Sequence, residues 1–501
     1  MTSWMGRVLL ALALYSCTGI APGAPGGVQA QASAESDLRE LVGRYTADRE
    51  NLERFYSVSG SARRSERFEA FAREWRSTLD GLDFAGLNED GRIDWILLHG
   101  QLERDLLRLA RERERQAEIE PLLPFAPRIV ALEEARVLME PLDPERAAGE
   151  LDGLKSAIEE TQKAAEENAA SYKKSVANRA AAQVDELHSA LAGWYDFRKG
   201  YDPSFDWWVT KPYEALRAAL EGYAKLLREK LVGLKGEDDQ TIVGDPIGRE
   251  ALLAELASAW IPYTPEELIQ IAEREFAWCE AELLKASREM GCGDDWKQAL
   301  ERVKEDHVEP GEQPALIRQL ALEAIDYVEK NELVTVPPLA AETWRMEMLS
   351  PEAQRTSPFF LGGELILVSY PTDGMTHEEK RMSMRGNNRH FARATVHHEV
   401  IPGHHLQGFM NERYQPQRGQ FSTPFWTEGW ALWWEMLLWQ RGYFVTPEDR
   451  VGALFWRLHR CARIQFSLGF HLGQMTPEQC VDLLVERVGH ERKNEIGRAH
   501  V

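Results

Sequence analysis

The stretch IDWILLHGQLERDLLRL at residues 93–109 sets the fold class of this 501-residue chain. Its apolar residues recur at spacings of three and four, which is the period of an amphipathic α-helix. Similar charged, helix-periodic segments run from Ala34 to about Lys330, and residues 144–191 are rich in Ala, Glu and Lys. The pattern predicts a mainly α-helical protein whose charged helix faces lie in solvent.

The overall composition is that of a globular protein, with 44% hydrophobic and 28% charged residues. It excludes wholesale disorder and a multi-span membrane protein. The 81 acidic and 59 basic side chains give a net charge of -22. Because such a surface repels phosphate backbones, we expect no nucleic-acid partner. Five cysteines are too few for a disulfide scaffold.

Residues 1–32 have the features of an export signal. Arg7 precedes the apolar run Val8–Tyr15, which is too short to span a bilayer, and small residues at 28–32 suit cleavage. A second interpretation attaches a lipid at Cys17. We therefore expect an exported bacterial protein without a membrane span, either periplasmic or held at the outer envelope as a lipoprotein.

The amino-acid composition of the chain changes near residue 334. Residues 334–338 and 363–371 have strand composition and are bounded by Pro or Gly. We expect the second segment to be a strand beside the site described next, where its backbone could pair with an extended peptide. The predicted organisation is one domain over 33–495, with a helical lobe at 33–330 and a second lobe at 331–495 that carries the site.

The candidate site begins with a histidine cluster, HHEVIPGHH, at residues 397–405. Imidazole nitrogens are common zinc ligands, and a Glu beside the first ligand, here Glu399 beside His398, is the usual general base of zinc hydrolases. The second ligand usually comes four residues after the first, but that position is Pro402, which cannot bind a metal. His404 comes two residues later, about 120° around a regular helix. If Pro402 and Gly403 form a local bulge, His404 returns to the face of His398.

Other arrangements of the cluster stay open at this stage. His397 with His404, or His398 with His405, would share one helix face at a spacing of seven, but a rise of about 10.5 Å makes joint ligation harder. The cluster could also consist of packing or surface histidines without a metal. The sequence favours His398 and His404.

A third ligand is expected from the aromatic helix FWTEGWALWWE at residues 425–435. Glu428 and Glu435 are seven residues apart, so both can face the same side. A carboxylate in an apolar segment is costly to bury unless it is paired or bound to metal. We expect Glu428 to be the ligand and Glu435 to support a ligating histidine. The alternative for Glu435 is an ion pair with Arg441 or Arg457.

Two of these segments carry a resemblance to a known family. HEVIPGHHLQ at residues 398–407 resembles the His-Glu-x-x-Pro-Gly-His signature of the bacterial domain-of-unknown-function family 885, and EGWA at 428–431 resembles its second block. LGFH at 468–471 is a weaker third match. The resemblance spans roughly residues 390–492. It implies a large helical fold similar to that of zinc metallopeptidases, with a small β element beside the zinc-site helices, in an exported or lipoprotein-like protein.

The resemblance also implies residue roles. His398, His404 and Glu428 would hold Zn²⁺, and Glu399 would act as general base in the hydrolysis of a peptide or small amide substrate. His471 of the third block would contact substrate and could stabilise the oxyanion. Tyr443 and Arg463 are further candidates for the oxyanion donor.

Two other functions remain open. One is a non-catalytic periplasmic binding or scaffold protein with a structural metal, and the other is a metal-dependent hydrolase of non-peptide amides or esters. The presence of Glu399 favours an enzyme, because a structural site needs no base.

The end of the chain has an unusual composition. The residues after Asn494 resemble a translated sequencing adapter, so we expect residues 496–501 to be an artefact and the natural protein to continue further.

Overall fold

The computed structural model describes residues 38–235, 242–356, 359–360 and 362–491. The predicted signal with Cys17 and the predicted artefact at 496–501 lie outside the described residues. Within them the chain is mainly α-helical with one small sheet, so the predicted fold class is confirmed. None of the described helices is long and apolar enough to cross a membrane.

The helices are numbered in chain order. They are α1 Arg39–Phe55, α2 Ala62–Asp80, α3 Glu89–Ile119, α4 Ala126–Val137, α5 Pro144–Glu167, α6 Lys174–Asp196, α7 Pro203–Leu226, α8 Gly248–Ser258, α9 Pro265–Glu289, α10 Trp296–Glu305, α11 Gln313–Lys330, α12 Pro338–Thr343, α13 Ala353–Thr356, α14 His377–Gly386, α15 Arg389–Glu399, α16 His404–Arg413, α17 Pro424–Gln440, α18 Pro447–His471 and α19 Pro477–Asp482.

Many helices start at a side chain that accepts a backbone hydrogen bond. Asn88 accepts from the amide of Gly91 at 2.7 Å and so fixes the start of α3, the helix predicted from residues 93–109. Thr423 does the same for α17, where it accepts from the amide of Trp426 at 3.1 Å. These caps satisfy backbone donors that have no partner within the helix.

The sheet has two short parallel strands, β1 Arg345–Met348 and β2 Leu365–Val368, with Arg345 opposite Leu365. Strand β2 lies inside the segment predicted at 363–371. The predicted strand at 334–338 was wrong, because its second proline opens helix α12. Proline lacks the amide hydrogen that a ladder needs and is favoured in the first turn of a helix.

Buried apolar side chains form three clusters. One joins side chains of α1–α3 to Phe421, a second lies among α4–α7, and the largest joins α9–α11 to α15–α18. The largest cluster surrounds the histidine segment. Because α9 and α11 belong to it together with α15–α18, this cluster contains residues from both predicted lobes, 33–330 and 331–495.

A buried ion pair connects the amino-terminal helices to the segment before α17. Asp94 of α3 is fully buried and accepts hydrogen bonds from Arg418 Nε at 2.6 Å and Gln417 Nε2 at 3.2 Å. Arg418 also reaches the exposed carboxylate of Asp90 at 2.8 Å. Three residues further on, Phe421 packs against α1–α3 and lines the cavity described below. Helix α3 therefore holds one rim of that cavity.

The Asp94→Asn variant tests this connection. The change leaves the partly buried Arg418 without its buried countercharge, so we expect the free energy of unfolding to fall by about 3 kcal/mol. Urea denaturation measures the loss. The matched Asp90→Asn variant removes the exposed carboxylate of the same arginine and should lose less than about 1 kcal/mol. Equal losses in the two variants would contradict the role given to Asp94.

Candidate metal centre

The histidine segment is a break between two helices. Helix α15 ends at Glu399 and α16 begins at His404, and the amide of Gly403 donates to the carbonyl of His397 at 3.0 Å. The Ile401–Pro402 peptide is cis. The sequence predicted a bulge inside one helix, and the structure corrects this to an interruption of four residues. The expected consequence holds, since the rings of His398 and His404 lie 4.8 Å apart at right angles.

Gly403 makes the break possible because the backbone passes very close to the preceding turn. A Cβ atom on this residue would lie 1.6 Å from the carbonyl oxygen of His398 and 2.6 Å from that of His397. No side chain fits there. From α17, Trp430 Nε1 donates to the carbonyl of Pro402 at 2.9 Å and fixes the far side of the turn.

Two imidazoles and one carboxylate converge at the break. His398 Nε2 lies 3.5 Å from Glu428 Oε2, and His404 Nε2 lies 3.8 Å from Glu428 Oε1. Ligands bound tetrahedrally to zinc at their usual distances are about 3.4 Å from one another. The three side chains therefore suit a zinc ion with little adjustment.

Glu399 belongs to the same cluster, because its carboxylate and the two imidazoles offer ligand atoms within 4.8 Å of one another. Its Oε2 is 4.0 Å from His404 Nε2, farther than the nearest oxygen of Glu428. Both carboxylates therefore lie within reach of the two imidazoles, with that of Glu428 slightly nearer to His404. The backbone at Gly362 covers Glu399 so closely that a Cβ there would lie 2.9 Å from its Cα.

A second carboxylate orients His398. Glu435 Oε1 lies 2.6 Å from His398 Nδ1, and Arg460 Nε donates to Glu435 Oε2 at 3.0 Å. A proton on Nδ1 leaves Nε2 free for a metal, which is the usual arrangement behind a metal-binding histidine. The ion-pair partner of Glu435 is thus Arg460 rather than Arg441 or Arg457. Sequence reasoning missed Arg460, because only the packing of α18 against α15 and α17 brings it there.

Charge in this cluster is unbalanced toward the negative. Burial lowers the pKa of His398, but Glu399, Glu428 and Glu435 outweigh burial and raise it to about 9. Hydrogen bonding to His398 lowers the pKa of Glu428 to about 2, and burial raises that of Glu399 to about 7. Without a metal, the raised pKa keeps His398 protonated, so three carboxylates face one guanidinium and one imidazolium. A divalent cation that displaced this proton would balance the charge. The residues present therefore fit a metal ion.

The other histidines of the cluster have different roles. His397 Nδ1 lies 3.0 Å from the carbonyl of Arg393, and its ring packs on Tyr443 and Phe444. The ring nitrogens of His405 lie 3.2 and 3.1 Å from two backbone carbonyls. The alternative ligand pairs that include His397 or His405 are therefore not formed.

The three residues predicted to contact substrate or the oxyanion differ in whether they reach the cavity at the candidate site. His471, at the end of α18, accepts a hydrogen bond from the amide of Ile247 at 3.4 Å and does not line the cavity. Its position gives no support to the predicted substrate contact, because this turn of α18 faces another segment. Tyr443 is buried against Arg393 and His397. Arg463, in contrast, lines the cavity.

The candidate ligands open onto a cavity of about 630 Å³. Leu367 of strand β2 lines the cavity, and so do His459, Arg460 and Arg463 of α18. Large aromatic and polar side chains also line it: Phe359, Phe360, Phe421, Trp426, Trp456, Thr395, Gln407, Asn411 and Thr427. The predicted position of β2 next to the site is confirmed.

The fold and the site define a mainly helical protein with a histidine–carboxylate cluster at the base of an open cavity. The chain belongs to the DUF885 family, bacterial proteins of unknown function, whose pattern matches residues 40–499. This match confirms the family indicated by residues 398–407 and 428–431. It also extends the likeness over the amino-terminal helices, where the sequence motifs gave no sign of it.

Solved structures share this fold, among them two from bacteria of the genera Shewanella and Colwellia. One, a "putative lipoprotein of unknown function" from Shewanella oneidensis, is 17% identical with a TM-score of 0.66, over 93% of this chain and 90% of that protein. The other, a "putative lipoprotein" from Colwellia psychrerythraea, is 15% identical with a TM-score of 0.54, over 93% and 89%. Among curated proteins, no sequence matches this chain.

The Gly403→Ala variant tests the break. The added methyl group collides with two carbonyls, so we expect a loss of about 3 kcal/mol in the free energy of unfolding and weaker zinc binding. Urea denaturation and zinc titration calorimetry measure the two effects. Gly429→Ala is the control, because nothing lies within 4 Å of a Cβ there. A normal zinc affinity in Gly403→Ala would contradict this account of the turn.

The Glu435→Gln variant tests the support of His398. The amide cannot stabilise the imidazole as the carboxylate does, so we expect zinc affinity to fall by about 10- to 100-fold. Competition with a chromogenic chelator measures it. Glu428→Gln should lose more, because it removes the charge of a direct ligand. The reverse order would exchange the roles of the two glutamates.

Proposed function

We propose that this protein is an exported, metal-dependent hydrolase that cleaves peptide or amide bonds. The observation that carries the proposal is the convergence of His398, His404 and Glu428 on one point, with Glu399 beside them at the base of an open cavity. Zinc hydrolases use this combination of donors and base.

The proposed ligands are His398, His404 and Glu428. A zinc ion held there would supply Lewis acidity, which activates water and polarises a carbonyl group. Glu435 and Arg460 would keep the Nε2 atom of His398 directed at the ion.

Glu399 is the proposed general base. It is 8% exposed, and it lines the cavity from the end of α15. It would accept a proton from the attacking water and return it to the leaving amine. The backbone at Gly362 restricts its movement and so supports this position.

The cavity favours an enzyme over the binding or scaffold protein. A structural zinc site is closed by four protein ligands, whereas three ligands beside an open space leave room for water and substrate. A hydrolase of non-peptide amides or esters would use the same residues and remains the second candidate. An extended peptide could run along β2, because Leu367 of this strand lines the cavity.

The location of the protein is also a proposal. Both similar structures carry the description "putative lipoprotein", and residues 1–32 have the features of an export signal with Cys17 as an acceptor. We therefore place the enzyme outside the cytoplasm, attached to the cell envelope by a lipid or free in the periplasm.

The Glu399→Gln variant tests the function. The amide keeps the size of the side chain but cannot accept the proton, so we expect about one zinc per chain and at least a 10³-fold loss of hydrolysis. Elemental analysis gives the zinc content, and mass spectrometry of a peptide mixture follows cleavage. Glu412→Gln, an exposed change on α16, should behave as wild type.

Two outcomes would contradict this proposal. Unchanged turnover in Glu399→Gln with zinc retained would remove Glu399 as the base. A wild-type protein that binds zinc but cleaves neither peptides, amides nor esters would favour the binding protein.

A further inference from the structure

Helix α18 presents one continuous face to the cavity. Trp456, His459, Arg460 and Arg463 all line it, at the spacing of three, four and seven residues that shares a helix side. Arg460 lies deep, with its Nη2 atom 3.1 Å from His398 Nδ1. Arg463 comes one turn later and is exposed. One guanidinium of α18 therefore lies behind His398, and a second, one turn later, lines the same cavity.

Arg463 differs from the other arginines of α18 in its partners. Arg450 pairs with Glu289, Arg457 with Glu275, and Arg460 with Glu435. Within the part of the chain that the structure describes, Arg463 forms no ion pair. In a chain with a net charge of -22, an arginine left unpaired at a cavity wall is available for an anionic ligand.

The chemistry of the guanidinium specifies that ligand. Its planar fork matches a carboxylate, which it can bind through two parallel hydrogen bonds. Arg463 lines the same cavity of about 630 Å³ as His398 and His404. A carboxylate bound to Arg463 would therefore belong to the same short peptide as a bond held at the two histidines.

We propose that Arg463 binds the free C-terminal carboxylate of a short peptide, so that the enzyme cleaves close to the carboxyl end. This inference rests on the proposed function. The neighbouring wall suits an apolar side chain, because Phe359 packs edge-on against Trp456 with ring centres 5.1 Å apart. The same guanidinium could instead bind the carboxylate of an acidic side chain. The test therefore compares a carboxylate at the chain end with one on a side chain.

The test measures binding to the Glu399→Gln protein by calorimetry, so that turnover does not interfere. The probes are acetyl-Ala-Ala-Phe, its C-terminal amide, and acetyl-Ala-Ala-Glu amide, which carries its carboxylate on a side chain. A charged hydrogen-bonded pair contributes about 1.5–3 kcal/mol, so the free acid should bind about 10- to 100-fold more tightly than either amide. Arg463→Ala should abolish the difference, and Arg450→Ala, on the same helix but paired at the surface, should keep it.

Three results would overturn the inference. The acid and its amide could bind equally or not measurably, the preference could survive Arg463→Ala, or the glutamate probe could bind as tightly as the free acid. The last result would show recognition of an acidic side chain instead of a chain end.

Hydrolysis by the otherwise wild-type protein separates this inference from the proposed function. Arg463→Ala should raise KM for free-acid peptides with little change in kcat, because the carboxylate contact is present in both ground and transition states. An oxyanion donor would instead lower kcat for acids and amides alike. If acids and amides are cleaved equally, the carboxylate site is refuted but the proposed hydrolase is not. If the protein binds the acid more tightly than the amide but cleaves neither peptide, the hydrolase is refuted but the carboxylate site is not.

Discussion

The site depends on one close backbone contact, the passage of Gly403 against the carbonyls of His397 and His398. In an unbroken helix the rings of His398 and His404 would point about 120° apart. The break shortens the path between them and brings the rings to 4.8 Å. It also exposes the carbonyl of Pro402, which receives Trp430 of α17. That hydrogen bond brings together the two segments that provide the proposed ligands.

Around this turn, the protein maintains a polar cluster inside its largest apolar core. Burying charges is costly unless they are paired and hydrogen-bonded. Glu435 meets this condition through His398 and Arg460, whose guanidinium uses two of its nitrogens on the carboxylate. The result is a rigid support on α17 and α18 for an imidazole on α15. The segment that carries Phe421, another residue lining the cavity, is held differently, by the buried pair of Asp94 with Arg418.

Sequence patterns correctly predicted the features that depend on neighbouring residues, such as helix positions and the side of a helix that a residue faces. The period of residues 93–109 predicted α3, and the seven-residue spacing of Glu428 and Glu435 correctly placed both toward His398. The predictions that failed concern features that depend on contacts between residues far apart in the chain. The composition of residues 334–338 favoured a strand, but prolines and packing made a helix start there. His471 sits in a plausible motif, yet the direction of α18 turns it toward Ile247. Arg460 carried no signal at all before the helices were packed.

X-ray absorption spectroscopy at the zinc edge tests the central claim most directly. We expect one zinc per chain with two imidazole nitrogens at about 2.0–2.1 Å, carboxylate or water oxygen as the remaining ligands, and no sulfur. The His404→Ala variant should lose one of the two imidazole contributions or the zinc itself. A shell of water oxygens alone, sulfur ligands, or a spectrum unchanged in His404→Ala would contradict a metal site built on the broken helix.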